Sequence, residues 1–348
     1  MAQGRSLCWN GLTIVPSLLT CIFMKIYENS QINRNIHFVA IGGGTGLSTL
    51  LRGLKNYTKN ITAIVTVSDD GGSSGRLRKN LGIIPPGDIR NCLVALSASE
   101  SLMADLFQYR FQDGTGLEGH SFGNLFLVAL SEVVGDFDKA IKESSKVLAI
   151  RGKVLPATLD TVVLKAKMED NTIVEGESNI TGSEKKIRRV FLKPANPKPQ
   201  KEVIEVLKEA EVIIFGPGSL YTSVIPNLLV PEICNIIKDL KAIKIYVCNV
   251  MTQPGETDGF TAGDHIKAIF DHTGYKLFDY VLLNKGTPTQ LLDKYRAEGA
   301  YPVEIDLHDI TAMGVEVIID DLISESNLVR HNPDKLVKAI LELTMRKT

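Results

Sequence analysis

From residue 36 onward the chain alternates short apolar, β-branched runs with segments whose apolar residues recur every three or four positions. Residues 37–41 and 61–67 read as strands, with a helix over 48–57 between them. Helical periodicity then dominates over 88–97, 102–111, 122–134 and 138–149. Residues 162–168 and 172–175 flank Glu169-Asp170-Asn171, a hairpin signal. The stretch 175–199 is polar and proline-rich and reads as a surface excursion. Strand 212–215, helix 220–237, strand 243–250, helix 261–272 and strand 280–284 follow in order. Residues 333–345 close the chain as a helix, with Asn332 as N-cap and Pro333 at the first helical position. Such βαβ alternation with short connections predicts an α/β fold: a mostly parallel, doubly wound sheet with a helical insertion and a small β excursion, one domain over 36–348.

Composition narrows the classes without choosing a function. At 348 residues, 44% apolar and 23% charged, the chain can bury a large core, so disorder is not expected. A formal net charge of -1 argues against a surface given over to nucleic acid. The five cysteines show no CxxC pairing and, with scattered histidines, no zinc spacing; they read as reduced, buried thiols of a cytosolic protein. An apolar run over 12–24 follows Arg5 but is interrupted by Thr13, Pro16, Ser17 and Thr20 and is too short to span a bilayer comfortably. Met24-Lys25 resembles an internal start. Residues 1–35 therefore read as an extension, with 1–24 a start-site artefact or tail rather than a stable membrane insertion.

Candidate chemistry collects where strands end. Gly42-Gly43-Gly44-Thr45-Gly46 follows the first strand and precedes a helix, so its amides suit a phosphate. Leu47 stands where the dinucleotide fingerprint wants glycine or alanine, which disfavours an NAD-dependent oxidoreductase. The second strand runs into Asp69-Asp70, then Gly71, Gly72, Ser73, Ser74, Gly75 and Arg76. Two adjacent carboxylates with nearby donors suit a magnesium-assisted phosphate or hydroxyl, which makes Asp69 and Asp70 the metal and catalytic candidates; the plainer reading is an N-cap aspartate. In Pro86-Gly87-Asp88-Ile89-Arg90-Asn91, Asp88 is a credible helix cap, while Arg90 in the first turn opposes the helix dipole and calls for an anion. In Gly119-His120-Ser121-Phe122-Gly123-Asn124, Ser121 caps a helix, with His120 and Asn124 near the same end. His120 is either a general acid/base or a satisfied surface histidine. Gly216-Pro217-Gly218-Ser219 forms another anion-suited loop, and Asn249 ends a strand where it can reach a base or sugar. No Walker loop, nucleophile elbow or HExxH pair occurs, so kinase, ATPase, serine hydrolase and zinc protease readings fall away.

Taken together, these loops and Asn249-Val250-Met251-Thr252-Gln253 resemble the gluconeogenesis factor family, the bacterial branch of the 2-phospho-L-lactate transferase-like superfamily. The resemblance runs from about residue 36 to the end. It implies a three-layer α/β/α Rossmann-like domain in the cytoplasm that binds UDP-sugars, notably UDP-N-acetylglucosamine, and is needed for cell shape on gluconeogenic carbon sources. It also implies nucleotide-sugar roles for Tyr295 and Arg330. The archaeal and actinobacterial relatives continue differently after the paired aspartates, which puts deazaflavin binding in doubt.

The leading expectation is a regulatory UDP-sugar binder. In it the amides of 43–46 and 218–219 cradle a diphosphate, Arg90 and Arg330 offset its charge, and Asp69-Asp70 form one wall. The competing expectation is a Mg²⁺-dependent transferase moving a phosphoryl-linked group from a nucleotide donor to a hydroxyl. A homo-oligomer is expected in either case.

Overall fold

The computed structural model describes residues 36–98, 102–114, 116–325 and 328–347; the expectations for residues 1–35 lie outside them. In chain order the strands are β1 Phe38–Gly42, β2 Ile61–Val65, β3 Lys153–Pro156, β4 Val163–Met168, β5 Ile173–Glu175, β6 Ile187–Lys193, β7 Val212–Phe215, β8 Ile243–Val247, β9 Tyr280–Asn284, β10 Glu316–Asp320, β11 Ile323–Glu325 and β12 Val329–His331. Seven of them form one sheet in the order β10-β9-β8-β7-β1-β2-β3, parallel at every pairing. Helices flank this sheet in a three-layer α/β/α arrangement, as expected.

The order of the strands explains where a ligand can sit. The chain builds β1, β2 and β3 toward one edge, then returns to lay β7 against the other side of β1 and continues outward to β10. Phe38 pairs with Ile61 on one side and with Val212 on the other. Connections therefore leave the carboxyl ends of β1 and β7 in opposite directions, and a crevice opens between them. β1, β2 and β7 are buried at every position because helices cover both faces of the sheet. Leu47, Leu50, Leu51 and Leu54 of the helix Gly44–Leu54 are fully buried. Truncating one such leucine to alanine costs about 2–5 kcal/mol, which fixes this helix firmly behind the glycine loop.

Several elements differ from the sequence-based expectations. The helix placed at 48–57 is Gly44–Leu54, so part of the glycine loop is itself the first helical turn. The run after the paired aspartates is a helix, Gly72–Leu81, that polarity and glycine content hide; only Ser73, Ser74 and Leu77 are buried in it. The helix over 220–237 is broken into a π-turn Leu220–Val224 and two helices, Ile225–Leu228 and Pro231–Asp239, because Pro226 and Pro231 cannot donate backbone hydrogen bonds. The excursion at 175–199 contains β6, which pairs with β4 in a three-stranded antiparallel sheet β5-β4-β6. Its exposed Arg188, Arg189 and Lys193 made it read as loop. The hairpin between β4 and β5 forms as expected, with Asn171 in the left-handed region at φ 68°.

Candidate functional site

A cleft of 230 Å³ lies at the carboxyl ends of β1 and β7. Gly43, Gly44, Thr45 and Gly46 form one side, and Pro217, Gly218 and Ser219 the other. Asn249, Val250, Met251 and Gln253 lie after β8, and Val329, Arg330 and His331 of β12 complete the lining. The two glycine loops touch: a Cβ on Gly46 would fall 2.5 Å from the Pro217 carbonyl oxygen. Gly44 sits at φ +64°, which side chains rarely adopt, and it starts the helix.

The first amides of a helix have no acceptor within it, and Gly43 at the N-cap supplies no side chain to take one. The Gly44 N–H donates to the Asp88 carboxylate, so it is already spent. The amides of Gly43, Thr45 and Gly46 remain at the cleft. Across the cleft, the Gly218 N–H donates to Asn249 Oδ1 at 3.2 Å, which ties the loop after β7 to the segment after β8. Asn249 thus holds the loop, and it stands two residues beyond the end of its strand. Gly42 and Gly216 do not line the cleft; the Gly42 carbonyl accepts from Thr66 N and from Asn227 Nδ2, while Gly216 N donates to Ile41 O.

At the other end stand two guanidiniums. Arg330 lines the cleft, and Arg52, on the same helix as the glycine loop, has its proton affinity lowered by burial and then by Arg330 nearby. Neither forms an ion pair among the described residues. Like charges held together without a counter-ion invite an anion. Tyr295 lies outside the lining: its hydroxyl accepts from Val329 N at 3.1 Å, and its ring packs with Val250, Met251 and Val329. It buttresses the strand that carries Arg330. His331 is buried, and burial pushes its imidazole down to about 4, so it is neutral at the cleft floor.

The paired aspartates do not line the cleft. Asp69 Oδ1 accepts from Gly71 N at 2.8 Å, and its carboxylate also accepts from Ser74. Asp70 turns away, Oδ1 accepting from Ser178 N at 2.9 Å. Their oxygens thus serve separate backbone amides, and among the described residues no group of three or more histidine, cysteine or acidic side chains converges to hold a metal ion.

Asp88 is not the helix cap; the helix is Gly87–Leu96 with Pro86 at its N-cap. Asp88 instead stands between the cleft and Asp69, so close that a Cβ on Gly43 would lie 2.6 Å from its Oδ2. Desolvation, then the Asp69 charge, pushes it up to about 7. Glu177, facing Asp69, Asp88, Glu256 and Asp70, is pushed up to about 9, with desolvation the largest cause. Buried Glu256 is pushed up to about 7 by desolvation against hydrogen bonds from Thr222 and Tyr221. Its network was missed by sequence reasoning. Glu256 Oε1 accepts from Thr222 Oγ1 at 3.0 Å and from Gln253 Nε2 at 3.1 Å, and Gln253 Oε1 accepts from Ser219 Oγ at 2.7 Å. A glutamate following Gln253-Pro254-Gly255 was visible, but nothing in spacing marked it as buried.

The remaining candidates gather on the far side of Asp69. Ser73 Oγ lies 3.0 Å from His120 Nδ1, and Asn124 Nδ2 donates to Ser73 Oγ at 3.1 Å and reaches Ser74 Oγ at 3.5 Å. Ser121 caps its helix as expected, accepting from Asn124 N. His120 is lowered by burial, then by the Arg76 and Arg110 charges, and is neutral at pH 7. Arg90 is 9% exposed and does not line the cleft; its Nη2 donates to Asn91 Oδ1 at 2.7 Å, and burial, then the Arg110 charge, lower its proton affinity against the opposing charges of Asp88 and Asp69. Among the described residues Arg90 forms no ion pair, and its Nε is buried without a hydrogen-bond partner. Arg78, unremarked in the sequence, faces the charges of Asp70 and Asp69.

Residues 38–323 match the family described as 2-phospho-L-lactate transferase CofD. The gluconeogenesis factor of Halalkalibacterium halodurans is 56% identical over 307 residues, spanning 87% of this chain and 95% of that one. That of Bacillus subtilis is 53% identical over 304 residues, spanning 87% and 96%. A crystal structure of a UPF0052 family protein from Bacillus halodurans superimposes with a TM-score of 0.86 at 54% identity, covering 88% of this chain and 99% of that one. With a family match across most of its length and close relatives named for one role, the chain belongs to the CofD family, in its gluconeogenesis factor branch.

Proposed function

We propose that this chain is a cytoplasmic regulatory protein that binds a UDP-sugar, UDP-N-acetylglucosamine above others, and serves cell-shape maintenance during growth on gluconeogenic carbon sources. The observation that carries this reading is the set of cleft donors without an acceptor among the described residues: the amides of Gly43, Thr45 and Gly46, together with the guanidinium of Arg330, which forms no ion pair among them. A diphosphate satisfies both at once. Val250, Met251 and Val329 supply an apolar strip for a ring beside it. Calorimetry on the purified chain should show one UDP-N-acetylglucosamine per chain, weakened at least about tenfold by Arg330→Ala, the loss of about 1.4 kcal/mol. Absence of heat with every UDP-sugar at millimolar concentration overturns the reading.

A second reading, transfer of a phosphoryl-linked group from a nucleotide donor to a hydroxyl, draws on Asp88. A carboxylate that titrates near 7 beside Gly43 can accept a hydroxyl proton at neutral pH. Incubation with nucleotide diphospho-donors, with and without Mg²⁺, tests it through nucleotide release. Intact binding without release removes it.

A further inference from the structure

Beyond Asp69 and Asp70, an open groove of 760 Å³ carries three cations, Arg76, Lys79 and Arg110. None forms an ion pair among the described residues. The two arginines are nevertheless held in place. Arg76 Nη2 donates to the Glu118 carbonyl at 2.6 Å, and Arg110 Nη1 donates to the Gly119 carbonyl. Gly119 takes φ +73°, and any Cβ there would come 3.0 Å from Arg76 Nη2, so the turn presents successive carbonyls to the two guanidiniums. Each fork keeps further N–H donors, and a guanidinium that spends one donor on a backbone carbonyl retains its whole charge. Of the groove's acids, Asp70 has Oδ1 committed to Ser178 N. Behind Gly72 and Gly119 lie the Ser73 hydroxyl and the His120 imidazole, 3.0 Å apart.

We propose that this groove is a second anion subsite, separate from the cleft and divided from it by Asp88, Asp69 and Asp70, and that it takes the phosphate of a small phosphorylated ligand. Two fixed guanidinium forks and a lysine suit a dianion better than a single carboxylate. The proposal uses no cleft residue and so stands or falls apart from UDP-sugar binding. Its test is titration of the full chain with inorganic pyrophosphate, followed by calorimetry. The double variant Arg76→Gln, Arg110→Gln keeps donors for the two carbonyls while removing the charge. Two binding sites are expected in the wild type. The double variant should lose one, weakened at least tenfold, while retaining wild-type affinity for UDP-N-acetylglucosamine and an unchanged melting temperature; Arg330→Ala should lose the other. Pyrophosphate binding that Arg330→Ala abolishes alone, or that the double variant leaves within twofold, overturns the proposal. So does a groove that ignores pyrophosphate but binds a 20-nucleotide single strand through Arg76 and Arg110. If pyrophosphate binds in the groove and no UDP-sugar binds at all, the cleft reading fails and this one stands.

Discussion

The cleft between β1 and β7 and the carboxylates beside it are built on opposite rules. Around the cleft, Gly43, Thr45, Gly46 and Arg330 hold donors that no protein group among the described residues satisfies. A step away, four carboxylates are answered from within: Asp69 by Gly71 and Ser74, Asp70 by Ser178, Asp88 by Gly44, and Glu256 by Thr222, Tyr221 and Gln253. Buried polar groups left open cost free energy, so open donors mark where a ligand is expected, whereas satisfied carboxylates shape the walls. The difference moves emphasis from the conspicuous aspartates to the plain glycines.

The sharpest way to break this contrast is Gly46→Val. Its Cβ would meet the Pro217 carbonyl oxygen at 2.5 Å and force the two loops apart. Overpacking of this kind costs about 1–3 kcal/mol, seen in urea unfolding, and UDP-sugar affinity should fall about a hundredfold. Near wild-type affinity would show that the cradle is not where the ligand sits.

Glu256→Gln probes the satisfied side. Its carboxyl is raised from 4.5 to about 7 in the fold, so the native state keeps a proton that the unfolded chain has released between those values. Its contribution is therefore present below pH 4.5 and lost as pH rises through about 7. The glutamine variant has no such loss. Between pH 4.5 and 8 its unfolding free energy should gain on wild type by on the order of 3 kcal/mol, with ligand affinity changed by less than about 1 kcal/mol. A difference that stays constant across a pH series of denaturant titrations would place Glu256 outside the buried network.

Tyr295→Phe should have the smallest effect. Loss of the hydroxyl that accepts from Val329 N removes about 1 kcal/mol of support for β12 and weakens UDP-sugar binding a few-fold. A melting curve and a titration check both parts, and a loss beyond tenfold would put the tyrosine against the ligand instead.

Five strands of the central sheet were legible because they read as apolar runs, as in Val212–Phe215 and Tyr280–Asn284. The two edge strands, β3 and β10, and the periphery were not. The helix Gly72–Leu81 buries only three residues, and in β6 the adjacent exposed Arg188 and Arg189 break the alternation of buried and exposed positions, so neither leaves a strong periodic trace. Site residues followed the same division. Glycine loops at strand ends could be found because their backbone chemistry is local. Asp88, Gln253 and Glu256 owe their roles to partners far along the chain. The wall's protonation depends on three-dimensional neighbours that no single stretch of sequence displays.

The pairing of β1 with β7, which joins Phe38 to Val212, has a consequence for how the chain reaches its working state. Neither half of the chain contains the cradle. The loop after β1 meets its facing loop only once β7 has returned beside β1, and Arg330 joins them from β12, so a ligand that spans all three recognises completed folding and nothing earlier. Such a ligand would act as a global stabiliser, adding about 2.7 kcal/mol at a hundred times its dissociation constant and slowing proteolysis across both halves together.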